Sequence, residues 1–340
     1  MNGHPPNLSD ARIRDASRFP EAGDGIYRGV PDEAYHDLEG RASSSLLRSI
    51  LTDTPAHARA RAEGNTEPTE AMRLGTMLHT YVLQPEVFED RYATPTGCRG
   101  RSGDGSPCSS RGEHPVWVEG EGAGRHLRWY CPSCRPAEGE VIEPAGGGET
   151  EDALEALGPA DVRRLSSEDR ERAEAMKARL EEHPAASSLL FELDGAEELT
   201  ILWTDRRTGT ELKSRIDRVA EHPRLGTVAI DYKTTYNAAP GRREFGRSIA
   251  KRRYDVQAAC YLEALGRSGV SADRFLIVAQ ERSAPHAASV QLLSPGPLLE
   301  KGRADLLRAL RSYKQCRQDG EWPAYPDAIV EARVPDWHYD

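Results

Sequence analysis

The stretch TVAIDYKTTYNAAP, residues 227–240, decides how the chain is read. Val228 and Ile230 belong to an apolar run with strand character, and Asp231 and Lys233 close it. Residues two apart on a strand project to the same face. A carboxylate and an ammonium therefore stand side by side where a buried strand gives way to a loop. Alone, that spacing reads as an ion pair on a solvated strand edge, so its surroundings must decide.

Working outward, EELTILWT (197–204) and ELKSRIDRVAE (211–221) alternate as strands, with DRRTG and HPRLG as turns between them and the opening stretch. A helix is expected over roughly 245–266, then strands RFLIVAQE and ASVQLLS, then a closing helix from Gly296 to Gly320. Three consecutive strands, a helix and a further strand imply a mixed α/β sheet, a meander feeding a crossover. Upstream, SSSLLRSILTDTPAHARARAE reads as a serine-capped helix continued after Pro55. TEAMRLGTMLHTYVLQP reads as a buried helix ending before Pro85, with Gly75 one turn before His79, and SSEDRERAEAMKARLEEHP as a helix with acids in its first turn.

The 340 residues suffice for a substantial core, and 38% hydrophobic with 29% charged residues fits a soluble globular class. No apolar run could span a bilayer and the N-terminus has no signal-like apolar segment, so a cytoplasmic location and no membrane partner are expected. Residues 1–24, polar and rich in Pro and Gly, are expected to be disordered. The net charge of −10 does not advertise a nucleic-acid binder. Its distribution is another matter: Arg242, Arg243, Arg247, Lys251, Arg252 and Arg253 gather in GRREFGRSIAKRRY against Glu244 alone. That run is either a phosphate-contacting surface or a solvated helix face.

Of six cysteines, Cys98, Cys108, Cys131 and Cys134 share one window, separated by nine, twenty-two and two residues. In a reducing compartment such a cluster suggests a metal before it suggests disulfides. A four-cysteine Zn²⁺ site in a ribbon-like insert is the first reading. His114 and His126 are alternative ligands, and four unligated thiols the plain alternative. The organisation is then a helical part at 25–96, the insert at 97–136, an acidic Gly-rich linker at 137–159, and a core at 160–340.

Asp217, late in the second core strand, and Asp231, late in the third, come close if the strands pair antiparallel. Two carboxylates at one sheet edge repel unless a cation sits between them, and hard oxygen ligands favour Mg²⁺ or Mn²⁺. Lys233 beside such a cation suits an anionic transition state. Tyr254, Gln257 and Tyr261, spaced by three and four, share one helical face.

In this order, SSSLLRSILTDTPAH, AMRLGTMLH, ELKSRIDRV, AIDYKTT, YDVQAACY and WPAYPD resemble the PD-(D/E)xK nuclease superfamily. The likeness is to its RecB-type branch, and within that to the exonuclease VIII (RecE-like) nucleases of bacteria and phages. It covers roughly residues 26–96 and 160–338. The resemblance implies a restriction-endonuclease-like core in which His79, Asp217 and Asp231 hold Mg²⁺ or Mn²⁺ and Lys233 orients the attacking water. It also implies that Gln257 and Tyr261 support the site, and that Glu197 or Glu198 supplies a further acid from the first core strand. The implied activity is exonucleolytic processing of double-stranded DNA ends for recombination or repair, with a single-strand annealing protein as partner and a homo-oligomeric assembly. The alternative is a DNA-binding or regulatory protein on an inactive nuclease fold.

Overall fold

The computed structural model describes residues 8, 11–64, 69–93, 114–119, 125–130, 133, 140–141, 163–242, 244–332 and 334. In chain order the strands are β1 (Ile13–Asp15), β2 (Gly25–Arg28), β3 (Ala42–Ser43), β4 (Tyr92–Ala93), β5 (His114–Glu119), β6 (Arg125–Tyr130), β7 (Glu140–Val141), β8 (Arg163–Arg164), β9 (Gly195–Thr204), β10 (Glu211–His222), β11 (Gly226–Thr235), β12 (Ala272–Glu281) and β13 (Ala288–Leu293). The helices used below are α1 (Asp32–Asp37), α2 (Ser44–Thr52), α3 (Pro55–Ala62), α4 (Glu70–Leu83), α5 (Pro85–Arg91), α6 (Ser167–Glu181), α7 (Phe245–Arg252), α8 (Tyr254–Arg267) and α9 (Pro297–Asp319). None of the described helices is long and apolar enough to cross a membrane.

The chain divides into two compact units. The first, residues 1–69, 185–281 and 288–340, holds an eight-stranded mixed sheet of order β1-β2-β9-β10-β11-β12-β13, with β3 added to β10. β9, β10 and β11 form the antiparallel meander, and β12 returns parallel to β11 after the α7–α8 crossover. Central β11 carries Val228, Ala229, Ile230 and Asp231 fully buried, because both its edges are paired and helices cover it. α8 packs on β9, β10, β11 and β12, and α2 and α9 pack on α8. Trp203 fills this core with its indole N–H donated to Ser214 Oγ at 3.1 Å, so the ring is buried without an orphaned donor.

Two local devices fix the crossover. α7 and α8 meet at Arg253, whose φ of 54° is left-handed. Its guanidinium bonds Asp255 (Nε to Oδ1, 3.1 Å) and reaches Asp305 on α9, which offsets the backbone cost. Where α9 crosses α8, Gly302 leaves no room: a Cβ there would lie 2.2 Å from the carbonyl oxygen of Asp255. Glycine is what lets the two backbones approach.

Residues 11–24 depart from the expected disorder. β1 runs parallel to β2, and Arg14 ties the connection by donating to the carbonyls of Ala22 and Asp24, both at 2.9 Å. Composition suggested a solvated tail, but one guanidinium satisfying several carbonyls orders a turn that composition does not reveal.

The second unit comprises residues 70–184 and 282–287. α4, α5 and α6 bury Met77, Leu78, Phe88, Ala173 and Met176 together, with Phe88 stacked on Tyr92 at 4.8 Å between ring centroids. β5 pairs antiparallel with β6 and with β7. Cys98, Cys108, Cys131 and Cys134 lie outside the described residues. Cys260 and Cys316 are buried in the first unit, and burial pushes the Cys260 thiol up to about 12, so it is an inert core group.

Candidate active site

Four elements of the first unit converge on one spot. The β10–β11 ladder pairs Arg218 with Ile230, so Asp217 and Asp231 face one another at the next position. There Asp217 Oδ2 accepts the amide of Tyr232 at 2.8 Å, a side chain continuing what the backbone ladder would have done. The neighbouring strand supplies Glu198. Its φ of 49° interrupts the β9–β10 register between Leu199↔Ile216 and Glu197↔Arg218. A non-glycine residue in left-handed geometry inside a strand is a strained position with its side chain re-aimed. A carboxylate oxygen of Glu198 lies within 4.8 Å of one of Asp217. Glu197, the other acid weighed from the sequence, instead pairs with Arg218.

Asp231 is fully buried, and Lys233 Nζ lies 2.6 Å from its Oδ2. Burial pushes the Asp231 carboxyl up to about 6; the Lys233 charge opposes that rise and the Asp217 charge adds to it. Burial also works against the charge on Lys233, but Asp231 and Asp217 outweigh it and hold the ammonium above its usual range. From α8, Gln257 Nε2 donates to Asp231 Oδ1 at 2.7 Å and lies 3.2 Å from Tyr261 Oη. One turn earlier, the Tyr254 ring has Lys233 Nζ and Arg48 Cζ each 5.8 Å from its centroid. Arg48, which the sequence reading did not single out, also donates to the carbonyl of Arg252 at 3.1 Å. Its place in SSSLLRS, one helical turn after the capping serines, was the available signal.

The site's chemistry fits a divalent cation. Asp231 Oδ2 is buried against the Lys233 ammonium, and the amide oxygen of Gln257 is buried without a hydrogen-bond donor. Glu198 lies beside Asp217, and the Asp217 charge acts on Asp231, so these carboxylates offer hard oxygen ligands suited to Mg²⁺ or Mn²⁺. His79 stands on α4 of the second unit.

The basic run divides. Arg242, Arg247, Lys251 and Arg252 are exposed, with Phe245 and Ile249 forming the buried side of α7. Arg243 lies outside the described residues. Arg253 is taken out of the expected DNA-contact set, because Asp255 and Asp305 already hold its guanidinium. Tyr254 is buried at 7% exposure, so its ring serves the site's wall.

Comparison with known proteins bears on the family and the fold. Residues 43–333 match the family described as PDDEXK-like domain of unknown function (DUF3799). Among solved structures, the chain is similar to a protein of Eubacterium rectale named "Putative exonuclease", with a TM-score of 0.50 and 11% identity over 91% of this chain and 96% of that one. At that identity the likeness speaks for the fold. A phage related exonuclease from Haemophilus somnus is similar over 44% of this chain and 74% of its own, at 15% identity and a TM-score of 0.28. A search of curated proteins finds no match. The chain belongs to the PDDEXK-like family, within the PD-(D/E)xK nuclease superfamily.

Proposed function

We propose, with that membership as the premise, that the chain is a metal-dependent nuclease hydrolysing phosphodiester bonds in DNA, acting as an exonuclease on double-stranded ends. One observation carries this reading. Asp217, Asp231, Lys233 and Gln257, drawn from two strands and a helix, meet at one place, with the Asp231 carboxylate fully buried there. A structural ion pair would need neither the second carboxylate nor the third from Glu198.

In this reading Asp217, Asp231 and Glu198 hold Mg²⁺ or Mn²⁺, and His79 joins them on the strength of the GTMLH motif. Bound there, the cation would activate water for attack on phosphorus and offset the charge that builds on the phosphate oxygens. Lys233 keeps its proton at neutral pH and places positive charge beside the reacting phosphate. Gln257 fixes the orientation of the Asp231 carboxylate through Oδ1, leaving Oδ2 toward Lys233. Tyr261 sits behind Gln257 and positions it. Arg242, Arg243, Arg247, Lys251 and Arg252 supply phosphate contacts despite the net charge of −10, since a groove needs only a local positive lining. The wider setting proposed is DNA recombination or repair, in a homo-oligomer working with a single-strand annealing protein, with Zn²⁺ held by Cys98, Cys108, Cys131 and Cys134.

The test is digestion of linear duplex DNA in Mg²⁺, with and without EDTA, comparing wild type with Asp231→Ala. Loss of linear DNA that needs both the metal and Asp231, with closed circles spared, supports an end-dependent nuclease. Intact DNA in both Mg²⁺ and Mn²⁺ defeats the reading, and the alternative of a DNA-binding protein on an inactive fold takes its place.

A further inference from the structure

We propose that Tyr236 is a base-stacking residue that grips DNA next to the scissile phosphate, an inference that deepens the nuclease reading and rests on it. Tyr236 is the most exposed aromatic side chain among the described residues, at 85%. It follows β11 directly, three residues beyond Lys233. At strand spacing those three residues span about 10 Å, the rise of roughly three stacked base pairs. The ring therefore stands on the segment by which the chain leaves the site.

Exposure alone would mean little, because single apolar side chains are common on surfaces. The chain on both sides of Tyr236 is pinned. Before it, Thr235 is the last paired residue of β11, opposite Glu281. After it, Asn237 accepts the Ala239 amide at 2.8 Å and donates to Glu244 Oε2 at 3.2 Å. Ala238 is buried, its amide bound to Glu281 Oε1 at 3.0 Å and its carbonyl to Ser289 Oγ at 2.5 Å. The loop then enters α7, whose Phe245 amide bonds the Ala239 carbonyl at 3.1 Å. A large ring held outward on a fixed backbone loses little entropy when a flat partner stacks on it. Exposed Arg242, Arg247 and Lys251 follow on the same loop and helix, and none of them forms an ion pair among the described residues. An exposed π-face followed along the chain by exposed cations suits a nucleobase attached to a phosphate backbone, and stacking of that kind tolerates any base.

The experiment compares wild type with Tyr236→Ala, Tyr236→Phe and Tyr236→Leu on linear duplexes carrying 5-iodouracil in the last three nucleotides of either strand. Dissociation constants are read in EDTA, crosslinks are mapped after irradiation, and kcat and KM are taken in Mg²⁺. Stacking predicts a tenfold or larger loss of affinity and a raised KM for Ala and Leu, values within twofold of wild type for Phe, and a crosslink at residue 236 that Ala abolishes. Unchanged affinity in Tyr236→Ala, equal losses in Phe and Ala, or a crosslink mapping elsewhere would each overturn the inference while wild-type cleavage leaves the nuclease reading standing. Wild type that neither binds nor cleaves the duplexes overturns both.

Discussion

Gln257 on α8 donates its amide hydrogen to Asp231 Oδ1 on β11 at 2.7 Å, so a helix side chain sets the angle of the one fully buried carboxylate in the candidate site. Partners that orient a ligand contribute to metal affinity although they never touch the metal, typically about 10–100-fold. Gln257→Leu should therefore weaken Mn²⁺ binding by about that factor in calorimetry, with the fold intact by circular dichroism. Wild-type affinity in this variant would show that Asp231 needs no helper.

The roles proposed for Lys233 and Asp231 can be told apart. Asp231→Asn should abolish metal binding. Lys233→Met should retain metal and DNA binding but lower kcat by about 10²–10³, the effect of losing one preorganised charge donor. Lys233→Met with a raised KM and normal kcat would assign the lysine to substrate grip instead.

The two adjacent glutamates of β9 can be told apart. Glu198 shares Asp217's neighbourhood, whereas Glu197 pairs with Arg218. Glu198→Gln should weaken metal binding in the same titration, and Glu197→Gln should leave it unchanged. Equal effects would undo the assignment drawn from the strand's left-handed residue.

Acidity offers a further check. Burial raises the Asp231 pKa to about 6, so a proton competes for the carboxylate below that pH. Metal affinity should be flat above about pH 7 and fall as pH drops through 6, up to about tenfold per unit for one proton released on binding. In the metal-free protein the sign reverses for folding. The native state takes up this proton more readily than the unfolded chain, so the Asp231 contribution to stability grows as pH falls from 6 toward 3.8. The difference in melting temperature between wild type and Asp231→Asn, followed across that window, isolates it. A difference that widens toward neutral pH in favour of Asn agrees; one independent of pH refutes the raised pKa.

Packing of α9 on α8 is open to a simpler test. Gly302→Ala places a methyl group against the Asp255 backbone and should cost about 1–3 kcal/mol in urea unfolding. No loss would mean that the helices shift apart freely.

Much of this architecture is legible in the sequence because its strands alternate or run apolar between clear turns. β9, β10 and β11 fall within two residues of where EELTILWT, ELKSRIDRVAE and TVAIDYKTT place them. The pairing of Asp217 with Asp231 is not legible, since register depends on turn geometry that a pattern does not encode. Glu198 could not be separated from Glu197, because alternation assumes a regular strand and a left-handed residue breaks it. Arg253 looked like one more member of a basic run. Its partner Asp305 is 52 residues away, and no local window reveals that.

The left-handed residue between α7 and α8 has an evolutionary consequence. It divides the crossover into an exposed segment bearing Arg247 and Lys251 and a buried segment bearing Gln257 and Tyr261. With the joint locked from α9, side chains on the outer segment can be exchanged without rotating the inner one. If Arg247 and Lys251 contact DNA as proposed, preference for substrate can drift over generations while Gln257 and Tyr261 stay in register.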